Sequence, residues 1–325
     1  MSAPLGSIIT VNYNQAEVTC ALLDSIRRQP YRTVEVIVVD NGSRDDPGPM
    51  LAHRYPEVRY VRSERNLGFA GGNNLGLRIA QGDYLFFVNN DAELAGDCVA
   101  RLVDWLARTP GSGVVSPLIC YFPTPGQQQD LVQYAGMTPL HPVTARNRLI
   151  GHQEMDRGQF RQPEPTAYAH GAAMMVPRTV VDRVGPMSEE FFLYYEELDW
   201  CARIRQAGYS VWVEPRARVY HKESLTVQAL GALKTYYLNR NRIHFMRRHH
   251  GGWRLSLFYA YLWTVLVPKN MLALSLRGEW ANLRAFRQGV LWNFGAKNNN
   301  WETQNAPTTA EPGEPAHLKK STVYF

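Results

Sequence analysis

The sequence predicts an α/β fold, a mostly parallel sheet flanked by helices, with a helical extension at the C-terminus. Three observations carry this. Ser7–Tyr13 and Thr33–Val39 are nearly continuous β-branched runs, as expected of strands buried on both faces. Stretches of helical spacing lie between such runs, the rhythm of parallel strands joined by right-handed crossovers. The third is a change of character near residue 230, where the chain becomes basic and aromatic. With 325 residues, 45% of them hydrophobic and 20% charged, the chain is long enough for one large domain or two small ones.

Taken in order, Ser7–Tyr13 is a strand with a polar end, and Gln15–Arg28 is a helix through Val18, Leu22, Leu23 and Ile26. Thr33–Val39 is the second strand and runs into Asp40-Asn-Gly-Ser43; Val58–Arg62 is the third. In such sheets ligands bind beyond the carboxyl ends of the strands, where Thr10, Asn12, Asn14, Asp40 and Asn41 fall. The run Asn66-Leu-Gly-Phe-Ala-Gly-Gly-Asn-Asn-Leu-Gly76 follows. Its glycines suit either close helix packing or a backbone approach to a diphosphate, from a helix starting near Ala70 that offers free N–H groups. Its spacing is not the dinucleotide-binding G-x-G-x-x-G. Asp83–Val88 is a fourth strand running into Asn89-Asn90-Asp91. Asp91 suits a hard-cation ligand or a turn ahead of the helix Asp97–Arg108.

Residues from Tyr121 to Pro165, rich in Pro, Gln and Gly, form a long excursion over the cleft. His170–Pro177 returns to a strand, Arg178–Val184 is a helix, and Phe191-Phe-Leu-Tyr-Tyr-Glu-Glu-Leu-Asp-Trp200 sets three carboxylates among aromatic rings. A helix from about Glu197 to Ala207 explains acidic residues at its positive end. A general base at a cleft mouth explains carboxylates that bear a desolvation cost. Ser210–Glu214 and Arg218–Tyr220 are two short strands closing on His221-Lys-Glu-Ser224.

Together these segments resemble the inverting family 2 glycosyltransferases, and most of all their bacterial rhamnosyltransferase-like branch. The residues that carry the likeness are Thr10-Val-Asn-Tyr-Asn14, Val39-Asp-Asn-Gly-Ser43, the Asn66–Gly76 run into Asn89-Asn-Asp91, and Glu196-Glu-Leu-Asp-Trp200 followed by His221. The resemblance spans roughly residues 5–225 and implies a GT-A fold, a Rossmann-like sheet with a nucleotide-sugar half to about residue 92 and an acceptor half over 93–229.

Position by position, the resemblance implies that Asn12 and Asp40 hold the nucleobase and ribose. Asn66, Gly68 and Asn73 line the diphosphate, and Asn90 the sugar. Asp91 matches the last position of the family's Asp-x-Asp metal motif, and His221 a late histidine that completes the metal shell in some members. Glu197 falls at the catalytic carboxylate. Asn89 stands where the metal motif has its first Asp, a form found in this branch. Glu-Glu replaces the usual Glu-Asp pair, leaving open whether Glu196, Glu197 or Asp199 is the base. A divalent metal follows, Mn²⁺ tolerated better than Mg²⁺ by mixed oxygen and imidazole ligands. The donor is a nucleotide-sugar, dTDP-rhamnose by branch likeness with UDP- and GDP-sugars open, and the acceptor a cell-envelope glycan or lipid-linked sugar. A polyprenyl-phosphate glycosyltransferase and a nucleotide-sugar-binding scaffold without transfer activity are the alternatives. A nucleotidyltransferase is disfavoured, because Val11–Gln15 holds no Lys or Arg.

Charge divides the chain. Residues 1–229 hold 22 Lys/Arg and 25 Asp/Glu, whereas residues 230–300 hold 11 against Glu279 alone. Leu230–Arg248 has helical spacing, but Leu255–Leu276 has a charge-free run of only 14 residues, Leu255–Pro268, ended by Pro268-Lys-Asn270. A spanning helix needs about 20 apolar residues. With Trp253, Tyr259, Tyr261 and Trp263 beside Arg and Lys, residues 230–296 read as basic amphipathic helices on an anionic membrane surface, or as a packed subdomain or homo-oligomer interface. Nucleic acid is disfavoured by the apolar content and the lack of a binding motif. Residues 297–325 read as a disordered tail. Four scattered cysteines argue against disulfides or a thiolate zinc site, and no signal peptide is visible. The expected location is cytoplasmic, at the inner face of the cell membrane.

Overall fold

Strands β1 (Gly6–Asn12) and β2 (Val34–Asp40) run parallel with Asn12 opposite Asp40, so two apolar runs end in polar residues at the same height. They belong to a computed structural model that describes residues 3–123, 130–222 and 231–295. The expected tail at 297–325, the start of the basic helix at Leu230, and Glu223-Ser224 lie outside these described residues. The chain forms two units. One holds residues 1–139 and 149–225, the other residues 140–148 and 226–325. Leu140–Arg148, inside the expected acceptor half, thus groups with the second unit.

In the first unit, α1 (Ala16–Arg27), α2 (Gly48–Arg54), β3 (Val58–Arg62), α3 (Gly68–Ile79), β4 (Tyr84–Val88), β5 (Ala92–Ala95), α4 (Cys98–Arg108), β6 (Ser112–Tyr121), β7 (Val132–Tyr134), β8 (Glu164–Pro165), β9 (Ala173–Pro177), α5 (Arg178–Val184), α6 (Glu196–Gln206) and β10 (Ser210–His221) follow in order. Among the described residues the strands make one ten-stranded sheet, with the path β3-β2-β1-β4-β9-β6-β10-β5. β3, β2, β1 and β4 are mutually parallel, and β10 is parallel to β6. β9 is antiparallel to both β4 and β6, so those six strands share one direction and β9 opposes them. Consequently the residues just before β9 lie at the same edge as the carboxyl ends of the others, since Ala173 pairs with Val88. β5 runs antiparallel to β10 with Ala92 opposite His221, which brings Asp91 beside the end of β10.

Helix α3 lies close against the sheet because its glycines face it. A Cβ on Gly76 would sit 2.6 Å from Ile9 Cγ2 and 3.0 Å from Val39 Cγ2, and one on Gly72 would sit 2.9 Å from Val11 Cγ1. The helix starts at Gly68, earlier than the expected Ala70.

Two strand expectations need correction. β6 is not among the expected strands, and it carries Pro117 inside its apolar run, where proline normally excludes a central strand. The sheet absorbs it through a register slip in the partner: Glu214 pairs with Pro117 but Arg218 with Leu118. The same slip joins the two short strands expected over 210–220 into the single β10.

In the second unit, α7 (Gly231–His249) packs on α10 (Trp280–Trp292). A Cβ at Gly289 would meet Tyr236 O at 2.5 Å, and Arg240 stacks its guanidinium over Trp292 at 3.9 Å. Between them α8 (Gly252–Tyr261), a π-turn (Leu262–Leu266) and α9 (Val267–Leu276) form one unbroken helix of 25 residues. The helix continues through Pro268, where the charge-free run ends. Proline lacks the N–H that the preceding turn would use, and the wider turn before it, with Thr264 Oγ1 donating to Ala260 O and Asn270 Nδ2 to Leu266 O, takes up the mismatch.

Substituting Gly76→Val should push α3 off the sheet and cost about 1–3 kcal/mol. The check is a lower urea midpoint at unchanged slope.

Candidate active site

A chain of hydrogen bonds runs along the carboxyl edge of the parallel strands. Asn90 Nδ2 donates to Thr19 Oγ1 (3.1 Å), and Thr19 Oγ1 donates to Asn12 Oδ1 (2.9 Å). Asn12 Nδ2 donates to Asp40 Oδ1 (2.9 Å) and approaches Ser43 Oγ (3.2 Å). Asp40 also accepts from the Ser43 N–H (3.1 Å) and pairs with Arg62 Nε (3.4 Å). Asp40 is fully buried, its carboxylate occupied by Asn12, Ser43 and Arg62. Thr10 is likewise buried inside β1, its hydroxyl without a partner. Asn14, exposed and at φ +54°, accepts from the Arg44 N–H and donates its own N–H to Ser43 Oγ. Arg44 is therefore anchored at the rim.

The glycine run is held from both sides. Asn41 Nδ2 donates to Asn66 Oδ1 (3.0 Å) and Gly68 O (3.1 Å), while Asn41 Oδ1 accepts the Leu67 N–H (2.9 Å). The Gly68 N–H goes to Asn66 Oδ1 and the Phe69 N–H to Phe192 O. The N–H groups of Leu67, Gly68 and Phe69, just ahead of the expected helix start at Ala70, are thus consumed by protein acceptors. Asn73 Nδ2 turns back to Phe69 O (2.9 Å) within its own helix. Gly68 sits at φ +74° with Phe192 O 2.3 Å from where a Cβ would be, so glycine is required there.

At the end of β4, Asp91 Oδ1 lies 3.1 Å from His221 Nε2, both residues buried. His221 Nδ1 is 2.8 Å from Gln133 Oε1, which assigns the ring proton to Nδ1 and the lone pair to Nε2. Asn89 Nδ2 approaches the same Nε2 at 3.4 Å. Two acceptor atoms this close need a proton or a cation between them, and a histidine oriented by its second nitrogen is the usual form of a metal ligand. The donor set therefore fits a divalent ion. Among the described residues no group of three or more His, Cys, Asp and Glu gathers for a metal, so ligand oxygens and water would complete the shell.

The acidic cluster lies nearby through the turn before β9. The Asn89 N–H donates to Ala172 O (2.9 Å), the His170 ring meets the His221 ring edge-on at 6.3 Å, and a Cβ on Gly171 would touch Glu197 Cδ and Cγ at 3.8 Å and Phe69 Cζ at 3.7 Å. The turn 170–172 thus touches both the Asp91–His221 pair and Glu197. Burial, with the adjacent His221 and His152 rings, pushes His170 down to about 3, so it stays neutral. Its Nδ1 accepts the Ala172 N–H, leaving the proton on Nε2.

The three carboxylates at the start of α6 differ. Asp199 is fully buried and paired with Arg203 Nε at 2.8 Å, and Arg203 also donates to Val184 O and Pro186 O. Glu196 is buried, whereas Glu197 is partly open. Each of the two keeps one buried carboxylate oxygen without a hydrogen-bond partner. Burial raises both, with the charge of Glu197 adding to the rise at Glu196; Glu197 is pushed up to about 7. The backbone leading in is strained, with Phe192, Tyr194 and Tyr195 all at positive φ.

The Glycosyl transferase family 2 model matches residues 7–185. The chain belongs to that family. This glycosyltransferase is 26% identical over 269 residues to the N-acetylglucosaminyl-diphospho-decaprenol L-rhamnosyltransferase of Mycobacterium tuberculosis, a match covering 77% of this chain and 87% of that one. It is 27% identical over 217 residues to the low-salt glycan biosynthesis hexosyltransferase Agl10 of Haloferax volcanii, with 63% of each covered. These likenesses place it in the rhamnosyltransferase-like branch. Its fold is GT-A: the mannosyltransferase PcManGT of Pyrobaculum calidifontis aligns at a TM-score of 0.55 and 19% identity, covering 91% of this chain and 89% of that one.

Thr19, Ser43, Gln133 and His170 contact the candidate residues without being among the expected ones. Ser43 carries a local signal, since Asp-Asn-Gly-Ser is a turn in which an Asp side chain bonds backbone a few residues on. Thr19 and Gln133 come from a helix and an excursion strand that carry no mark of their target.

The pair Glu196 and Glu197 titrates higher folded than unfolded, so its contribution to stability is complete below about pH 4.5 and lost as pH rises through about 7. Glu197→Gln should flatten that decline, raising the melting temperature at pH 8 relative to the parent while changing it little at pH 4.5. Differential scanning fluorimetry across this range is the check.

Proposed function

We propose that this chain is an inverting, metal-dependent glycosyltransferase that moves a sugar from a nucleoside-diphosphate donor to a hydroxyl of a lipid-linked or cell-envelope glycan. The observation that carries the reading is the turn 170–172, which touches the Asp91–His221 pair on one side and the partly exposed Glu197 on the other. Rhamnose from dTDP-rhamnose is the favoured donor, supported by the named activity of the mycobacterial relative, whose acceptor is a lipid diphosphate sugar.

Glu197 is the base. It is the most exposed residue of the three, and its raised pKa makes it a stronger proton acceptor once ionised. It takes the proton of the acceptor hydroxyl as that oxygen bonds to the anomeric carbon and the bond to the diphosphate breaks. A single displacement inverts the anomeric centre. Asp91 and His221 would hold a divalent ion, which when bound neutralises charge on the diphosphate. Mn²⁺ suits them, and the Pyrobaculum mannosyltransferase was solved in complex with GDP-Man and Mn²⁺. Asn12, Thr19 and Ser43, tied together through Asp40, orient the nucleotide end, and the Asn41–Asn66 pair fixes the backbone around Gly68 beside the diphosphate. His170 stays neutral and keeps its Nε2–H as a donor near the reacting atoms.

A panel of dTDP-, UDP- and GDP-sugars with and without Mn²⁺, read by thermal shift, identifies the donor. Transfer should rise with pH through about 7, as Glu197 must be ionised. Glu197→Gln should lower kcat by roughly 10²–10⁴-fold while sparing donor binding, and Asp91→Ala should remove the Mn²⁺-dependent part of the shift. Retained turnover in Glu197→Gln would move the base to Glu196. Product analysis by NMR should give an inverted glycosidic bond; a sugar attached directly to a polyprenyl phosphate would instead make the chain a lipid-phosphate glycosyltransferase.

A further inference from the structure

We propose that the second unit docks on an anionic lipid surface, with the helix Gly252–Leu276 lying in the membrane plane. The inference goes beyond the transfer reaction and does not depend on it, because it is read without turnover.

The exposed apolar side chains of this helix are large: Trp253 is 67% exposed, Leu257 44%, Val265 45%, Leu272 62% and Leu276 79%. In an uninterrupted α-helix Trp253 and Leu257 would point about 100° away from Leu272 and Leu276. The π-turn at 262–266 takes up roughly one extra residue, which swings the second half back so that all five share one face. The opposite side is the packed one, with Phe258, Leu262 and Leu266 buried at i, i+4 and i+8. Trp263, beside Phe294 at 5.4 Å, and Trp280 add exposed aromatic surface at the flanks.

Charge selects the occupant. Residues 231–295 hold ten Lys and Arg against Glu279 alone. Arg254, Lys269 and Arg277 are exposed along or just beyond the helix itself, Arg284 and Arg287 on α10, and Arg247 and Arg248 at the end of α7. Tryptophan beside arginine and lysine around an apolar face matches the headgroup layer of an anionic membrane. A second copy of the chain is a poorer occupant, since a self-complementary contact would face this excess cation with itself.

The helix is long enough to span, about 37 Å at 1.5 Å per residue. Its packed face argues against spanning. α8 contacts α7 and α9 contacts α10, so insertion would carry the arginines of those helices into hydrocarbon. Lying flat buries the apolar face and leaves those arginines among phosphates.

The test is co-sedimentation of the purified full chain with phosphatidylcholine vesicles, with and without phosphatidylglycerol. Binding should require phosphatidylglycerol and fall roughly tenfold or more as salt screens it at about 0.5 M. The double variant Leu257→Asp with Leu272→Asp alters only exposed positions. It should lose vesicle binding at least about tenfold while keeping its circular dichroism and melting temperature. Arg254→Glu with Lys269→Glu should weaken binding to phosphatidylglycerol vesicles in the same way. No binding to anionic vesicles, or equal binding by the parent and the Asp variant, would overturn the proposal. So would a parent dimer that the Asp variant converts to monomer, or bound protein that resists alkaline carbonate extraction, which would mean a second copy or a spanning helix respectively.

Discussion

The pairing of β4 with the reversed strand β9 is the constraint on which the site depends. Val88 stands opposite Ala173, so the turn carrying His170, Gly171 and Ala172 emerges at the edge where β1, β2 and β4 end. Had β9 run parallel to β4, this turn would have left at the far edge of the sheet, away from Asn89 and Asp91. The reversal also sets the direction of β6 and β10, and hence the place of His221. One strand's orientation thereby gathers residues separated by more than a hundred positions.

That edge leaves its electrostatics unsettled. Other buried carboxylates are matched: Asp40 by Asn12, Ser43 and Arg62, Asp199 by Arg203, Glu214 by Arg216. Among the described residues Glu196 and Glu197 are the contrast, with one buried, unpartnered oxygen each. The left-handed residues Phe192, Tyr194 and Tyr195 hold them there, and Phe192 is tied by its carbonyl to the Phe69 N–H. Strain and desolvation at one spot lower stability and raise basicity together, which is the trade a base near neutrality requires.

The glycine run and the acidic stretch illustrate how local signals acquire meaning. Gly68 reads from the sequence as a phosphate-approaching residue, and its positive φ also lets Phe192 pass at close range. Gly72 and Gly76 serve helix-to-sheet contact. The N–H groups of Leu67, Gly68 and Phe69 are spent on Asn41, Asn66 and Phe192, and the partners distant in sequence are invisible to local pattern. Pro117 sits within a central strand because the register slip that tolerates it lies on another strand, β10.

What the sequence determined alone was everything set by short-range chemistry: buried strands from β-branched runs, helix α6 from its acidic start, the carboxyl-edge placement of Asn12, Asp40 and Asp91, and the basic character of the second unit. Tertiary structure decided the order β3-β2-β1-β4-β9-β6-β10-β5, the meeting of Asp91 with His221, and which of three neighbouring acidic residues is partly exposed. It also decided that Pro268 would continue a helix rather than end one. Those outcomes rest on pairings between distant segments, whose energies depend on what each side chain meets across the sheet and not on its neighbours along the chain.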